Sequence, residues 1–134
     1  MLVKQISVFV ENAKGRLAEI TGVLADSRVN IYALSIADTT QFGILRIIVE
    51  DPNAAQSALK EAGFTVSITD VLSLEIDDRP GGLARALKTL SENEIDVEYA
   101  YAYISHTIDK ARVVVRVEDI AKASEILKAA GFSA

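Results

Sequence analysis

The sequence predicts an α+β fold: two ferredoxin-like βαββαβ units in tandem, each an antiparallel sheet with both helices on one face. Three observations predict it. The first is an internal repeat: Ser7, Gly15, Leu17, Ala18 and Leu24 recur 66 positions later as Ser73, Gly81, Leu83, Ala84 and Leu90. Further on the offset becomes 68, where Val49-Glu50-Asp51 matches Val117-Glu118-Asp119 and ALKEAGF (58–64) matches ILKAAGF (126–132). The change of two falls between Ala37 and Ile44, in an expected turn, where insertions are tolerated. The second observation is apolar periodicity, which switches along each copy between two residues and about 3.6. The third is punctuation by Asp, Pro and Gly at the ends of those segments.

The elements follow in order. Ile6, Val8 and Val10 alternate with Gln5, Ser7 and Phe9, a half-buried strand. Leu17, Ile20 and Leu24 recur at helical spacing. Ile31 to Ala37 and Ile44 to Glu50 read as two strands joined by a hairpin-length link, DTTQFG (38–43). Asp51 can cap the next helix, Pro52 suits its first position, and Gly63 can end it. Phe64 to Ile68 reads as a fourth strand. In the second copy Asp119 and Gly131 take the roles of Asp51 and Gly63.

The expected domains are 1–69 and 70–134. The second copy stops at Phe132-Ser-Ala, so its last strand is short, absent or supplied from elsewhere. TVSITDVLSLEID (65–77) leaves almost no linker between the copies. A unit of about 66 residues buries a small share of its surface and is marginal alone. The two halves are therefore expected not to fold separately.

Half of the 134 residues are hydrophobic and a quarter are charged, which suits a soluble domain with a real core. The net charge of −5, with no run of Lys or Arg, disfavours a general grip on nucleic acid. The absence of cysteine removes disulfides, thiolate ligands and a cysteine nucleophile, and fits a reducing cytoplasm. Lys4 and Glu11 interrupt any signal-peptide core, and no apolar run approaches the roughly 20 residues that span a bilayer. A cytoplasmic protein without a membrane partner is expected.

Gly15 and Gly81 both stand between a strand and a helix. A helix start leaves backbone N–H groups without partners and concentrates positive partial charge. A glycine there lets the chain turn at positive φ and lets a carboxylate approach closely. Alternatively, both glycines serve only to make a tight turn.

The two turns, AKGRLAEITGVLADSRVNI (13–31) and RPGGLARALKTLSENEIDV (79–97), resemble the ACT domain signature: a glycine turn, a leucine, a helix, then a polar residue and an aliphatic opening the second strand. The resemblance covers essentially the whole chain as two copies. It implies a free-standing regulatory sensor that binds a free amino acid where two ACT domains meet. Carried onto this chain, the ligand residues are Asn12, Ala13, Lys14, Gly15, Arg16 and Leu17 with Asn30 and Ile31. In the second copy they are Arg79, Pro80, Gly81, Gly82 and Leu83 with Asp96 and Val97. The first copy departs from the family at Lys14, where proline is usual. The resemblance implies no cofactor and no catalytic domain, and an output read by a metabolic enzyme or regulator.

The first copy is expected to hold the better site. Its turn is flanked by Lys14 and Arg16, and Asn30 can accept from an ammonium through its carbonyl. In the second copy Asp77, Asp78 and Asp96 are expected to crowd the turn and repel a carboxylate.

Other chemistry-bearing residues carry less. His106 is the only histidine, lies in a loop, and has no metal-ligand partners at suitable spacing. Asp77 and Asp78 are neighbours and read as turn residues rather than an acid/base pair. Tyr99, Tyr101 and Tyr103 alternate on one strand face, with Ala100 and Ala102 on the side of Leu72, Leu74 and Ile76. The tyrosines suit cross-strand packing and an oligomer interface equally. With the missing strand, they predict a homodimer or larger oligomer. Two other readings compete: an assembly module without ligand, and an acylphosphatase-like enzyme using Arg16 and Asn30. An RNA-binding sheet is disfavoured by Ile44, Leu45, Ile47 and Ile48 on the inner strands.

Overall fold

A computed structural model describes residues 1–39 and 41–134; Thr40, in the expected 38–43 link, lies outside the described residues. The chain runs β1 (Leu2–Glu11), α1 (Arg16–Asp26), β2 (Ile31–Asp38), β3 (Phe42–Val49), α2 (Pro52–Glu61), β4 (Thr65–Asp77), α3 (Gly82–Glu92), β5 (Val97–Ala102), β6 (Lys110–Val117) and α4 (Ile120–Ala129). This is the expected order of two βαββαβ units with antiparallel sheets. The residues gather into two compact units, Lys4–Thr69 and Met1–Val3 with Asp70–Ala134.

In the Lys4–Thr69 unit β3 lies between β2 and β1, antiparallel to both. Ile6, Val8, Leu45, Ile47 and Val49 point to one face. There they meet Ile20 and Leu24 of α1 and Ala55 and Leu59 of α2 in one buried core. The strand alternation and the helical spacing thus converge on a single apolar layer. Asp51 caps α2 by accepting from the Ala54 N–H at 3.1 Å, and Pro52 occupies the first turn.

The second unit repeats the plan. β6 lies between β4 and β5, and Leu72, Leu74, Ile76, Val113 and Val115 pack on Ala86 and Leu90 of α3 and Ala123 and Leu127 of α4. Asp119 accepts from the Lys122 N–H at 3.1 Å, the counterpart of the Asp51 cap. The tyrosines lie as alternation predicts. Ala100 and Ala102 stand opposite Val115 and Val113 on the helix side, while Tyr99 and Tyr101 stand opposite Arg116 and Val114 on the other.

The last strand of the second copy is supplied from two directions. The Ser73 N–H donates to the Met1 carbonyl at 2.7 Å, and the Glu75 N–H donates to the Ser133 carbonyl at 2.8 Å. Met1–Val3, which the sequence placed with the first copy, therefore belongs to the second unit. Thr65 to Asp77 is one strand of 13 residues, so the chain passes from one unit to the other with no loop.

Candidate functional site

The turn before α1 is held by its own backbone. The Asn12 N–H donates to the Gln41 carbonyl at 2.9 Å, the Ala13 N–H to the Glu11 carbonyl at 2.7 Å, and the Arg16 N–H to the Ala13 carbonyl at 3.3 Å. Gly15 sits at φ +84°, the left-handed region that a side chain disfavours. It starts α1 without contributing a side-chain cap, so the positive end of the helix faces outward. The Arg16 guanidinium lies 3.0 Å from Glu19 and 3.5 Å from Glu11. These ion pairs are exposed, and such pairs are weak.

Beside this turn is a hollow of about 210 Å³ lined by Val10, Glu11, Asn12, Ala13, Arg16, Leu17, Ile36, Asp38, Gly43 and Leu45. Sheet register explains its shape. Gly43 stands between Val10 and Asp38 in one row, and Leu45 stands beside Ile36 in the next. All five point to the helix side, because residues two apart on a strand share a face. Gly43 has no side chain to fill its place in the floor. Leu17 is 39% exposed and Ile36 is 49% exposed, so the hollow keeps apolar walls open to solvent.

The second copy builds the same place from different residues. Its turn residues Arg79, Pro80 and Gly81 precede α3 as expected, with Gly81 at φ +91°. Gly82 takes the position of Arg16, and a Cβ there would overlap the carbonyl oxygen of Asp77. The helix start therefore rests directly on the end of β4. Ala111 replaces Gly43 in the floor, Ala102 replaces Ile36, and Ile104 replaces Asp38. Leu83 alone repeats its first-copy counterpart, Leu17.

Sequence reasoning gathered more residues than one unit brings together. Asn12, Ala13, Arg16 and Leu17 line the hollow, and Lys14 and Gly15 form the adjoining turn. Asn30 and Ile31 do not meet them. They follow the far end of α1, whose 11 residues span roughly 16 Å. There the Asn30 carbonyl accepts from the Glu50 N–H at 3.0 Å. Asp96 and Val97 likewise follow the far end of α3, so Asp96 does not crowd the Gly81 turn as expected. Asp96 instead borders an acidic hollow with Glu94, Glu118 and Asp119.

Asp77 also departs from its reading as a solvated turn residue. It ends β4, where the Lys110 ammonium contacts it at 2.6 Å and Arg79 at 3.2 Å. The hydrogen bond and charge of Lys110 hold its carboxyl below the usual carboxylate range, and the same contact holds Lys110 above the usual lysine value. The Asp77 carboxylate near the second turn is thus partly neutralised. The second turn differs in its walls: Ala102 stands where the first copy has Ile36, and Ile104 where it has Asp38. His106 is exposed, and no cluster of metal-ligating side chains occurs among the described residues. No helix among them is long and apolar enough to cross a membrane.

The residues that sequence reasoning missed are Val10, Glu11, Ile36, Asp38, Gly43 and Leu45. The available signal was the difference between the copies, with Gly43 against Ala111 and Arg16 against Gly82.

Comparison with known proteins agrees with this architecture. A crystal structure of a Bacteroides thetaiotaomicron protein is 43% identical and superposes with a TM-score of 0.92, covering 99% of this chain and 91% of the other. The regulatory subunit of aspartate kinase from Thermus thermophilus, in its ligand-free form, shares the fold at 14% identity and a TM-score of 0.68, with 98% and 95% of the chains covered. The corresponding subunit from Thermus flavus does so at 15% identity and a TM-score of 0.65, with 97% and 95% covered. No curated protein matches the sequence. The family profile of the ACT domain pair matches residues 1–133, and the chain belongs to that family.

Proposed function

We propose that the chain is a regulatory module without catalytic activity, which takes a free amino acid at the glycine turn of its first copy. The observation that carries this reading is the uncapped start of α1 beside a hollow whose floor lacks a side chain at Gly43. Positive partial charge next to an apolar recess suits a carboxylate attached to a side chain. The aspartate kinase subunits of the same fold are regulatory by description, which supports the same assignment.

The module acts as a homodimer. Asn30 and Ile31 can reach a ligand at the Gly15 turn only from a second copy of the chain, which agrees with a family site where two ACT domains meet. Sedimentation at micromolar concentration is expected to give a species of twice the chain mass; a monomer there removes the dimer.

A thermal-shift screen of the twenty amino acids tests the ligand. A molecule that binds only the folded state adds RT ln(1 + [L]/Kd), about 2.7 kcal/mol at a hundredfold excess over Kd. One amino acid, or one chemical group of them, is expected to raise Tm by several degrees. A flat response to all twenty would favour an assembly module without ligand. The acylphosphatase-like reading is less well supported, since one unit holds Arg16 and Asn30 at opposite ends of α1.

A further inference from the structure

We infer that the ligand is a branched aliphatic amino acid, with its side chain in the hollow over Gly43 and its ammonium held by Asp38; this rests on the amino-acid reading above. Of the ten lining residues, Val10, Leu17, Ile36 and Leu45 present apolar side chains toward one recess. Ile36 and Leu17 stay substantially exposed although their strand and helix face a core. A ligand side chain of the same character would cover them.

The polar end is selective too. Asp38 ends β2 at the rim of the hollow and has no ion pair among the described residues, whereas Glu11 has the Arg16 guanidinium 3.5 Å away. A carboxylate with no cation of its own, at the edge of an apolar recess, fits a ligand ammonium. The second copy places Ile104 at this position, and with it loses the acceptor that Asp38 offers. Gly43 sets the depth. A Cβ added there would make an ordinary 3.5 Å contact with the Cβ of Asp38, so alanine fits the fold while raising the floor.

The test is calorimetry on the full chain with leucine, isoleucine, valine, alanine, aspartate and lysine, and with 4-methylpentanoate, which is leucine without its amino group. Leucine, isoleucine or valine is expected to bind at least about tenfold more tightly than the other three amino acids. Gly43→Ala should weaken that binding severalfold while leaving Tm within a few degrees of the parent. Asp38→Asn should weaken the amino acid by about tenfold and leave 4-methylpentanoate unchanged. Tight binding of a charged amino acid that Gly43→Ala does not affect overturns the inference while leaving the sensor reading intact. If Asn30→Ala removes the preference for the amino acid over 4-methylpentanoate and Asp38→Asn does not, the ammonium belongs to Asn30 of a second copy. If no amino acid binds at all, the functional reading itself fails.

Discussion

Replacing Gly82 by alanine is expected to destabilise the protein by about 3 kcal/mol or more, at the upper end of what overpacking costs. The cause is local and steric. The new Cβ would overlap the Asp77 carbonyl oxygen, and its next nearest neighbours are the carbonyl carbon and Cα of the same residue. All three are backbone, so no flexible side chain can give way. Either the start of α3 lifts from the end of β4 or the strand end bends. Both disturb Ala86 and Leu90, which are buried in the second core. A urea titration should show the midpoint falling with little change in slope. The matching control is Arg16→Ala, at the equivalent turn of the first copy, where a side chain is already accommodated. A Gly82→Ala variant as stable as the parent would mean that the turn before α3 is much looser than described.

Expressing residues 1–69 alone should give a chain without cooperative unfolding. The cut falls inside β4, a strand of 13 residues. It also leaves Met1–Val3 without the β4 residues they bond, since the Met1 carbonyl accepts from Ser73. A fragment of this size starts with little stability to lose. Residues 70–134 alone should fare no better, because they lose the Met1–Val3 segment that completes their sheet. The measurement is circular dichroism through a thermal ramp. A sharp sigmoidal transition and a soluble monomer from either fragment would sink this expectation.

Much of the fold was legible because its cues are short-range and occur twice. The Asp51 and Asp119 caps, the alternation around Ile6 and Val8, and the glycines at 15 and 81 each report local backbone geometry. A repeated offset turns two weak signals into one strong one. The site was less legible because proximity in space does not follow the order of a motif. Gly15 and Asn30 stand 15 positions apart within one signature, yet a helix carries the chain from one end of the unit to the other between them. Conversely Ile36 read as one residue of a strand, and Asp38 and Gly43 as the two ends of a hairpin link. Their shared face depends on the pairing of β2 with β3, and a strand's own sequence does not state its partner's register. The missing strand of the second copy was visible as an absence. That Met1–Val3 fill it depends on the three-dimensional path of the chain.

The unequal floors of the two copies shape the dose-response of a sensor built this way. With Asp38 and Ile36 at the rim of one recess and Ile104 and Ala102 at the same places in the other, each chain carries a single receptor on the reading above. Titration should then saturate at one ligand per chain, along a hyperbola for any chain acting independently. A steeper response requires coupling between sites on different chains. Sharpness of regulation would then reside in assembly, and a variant that separates the chains would blunt the response without removing the receptor.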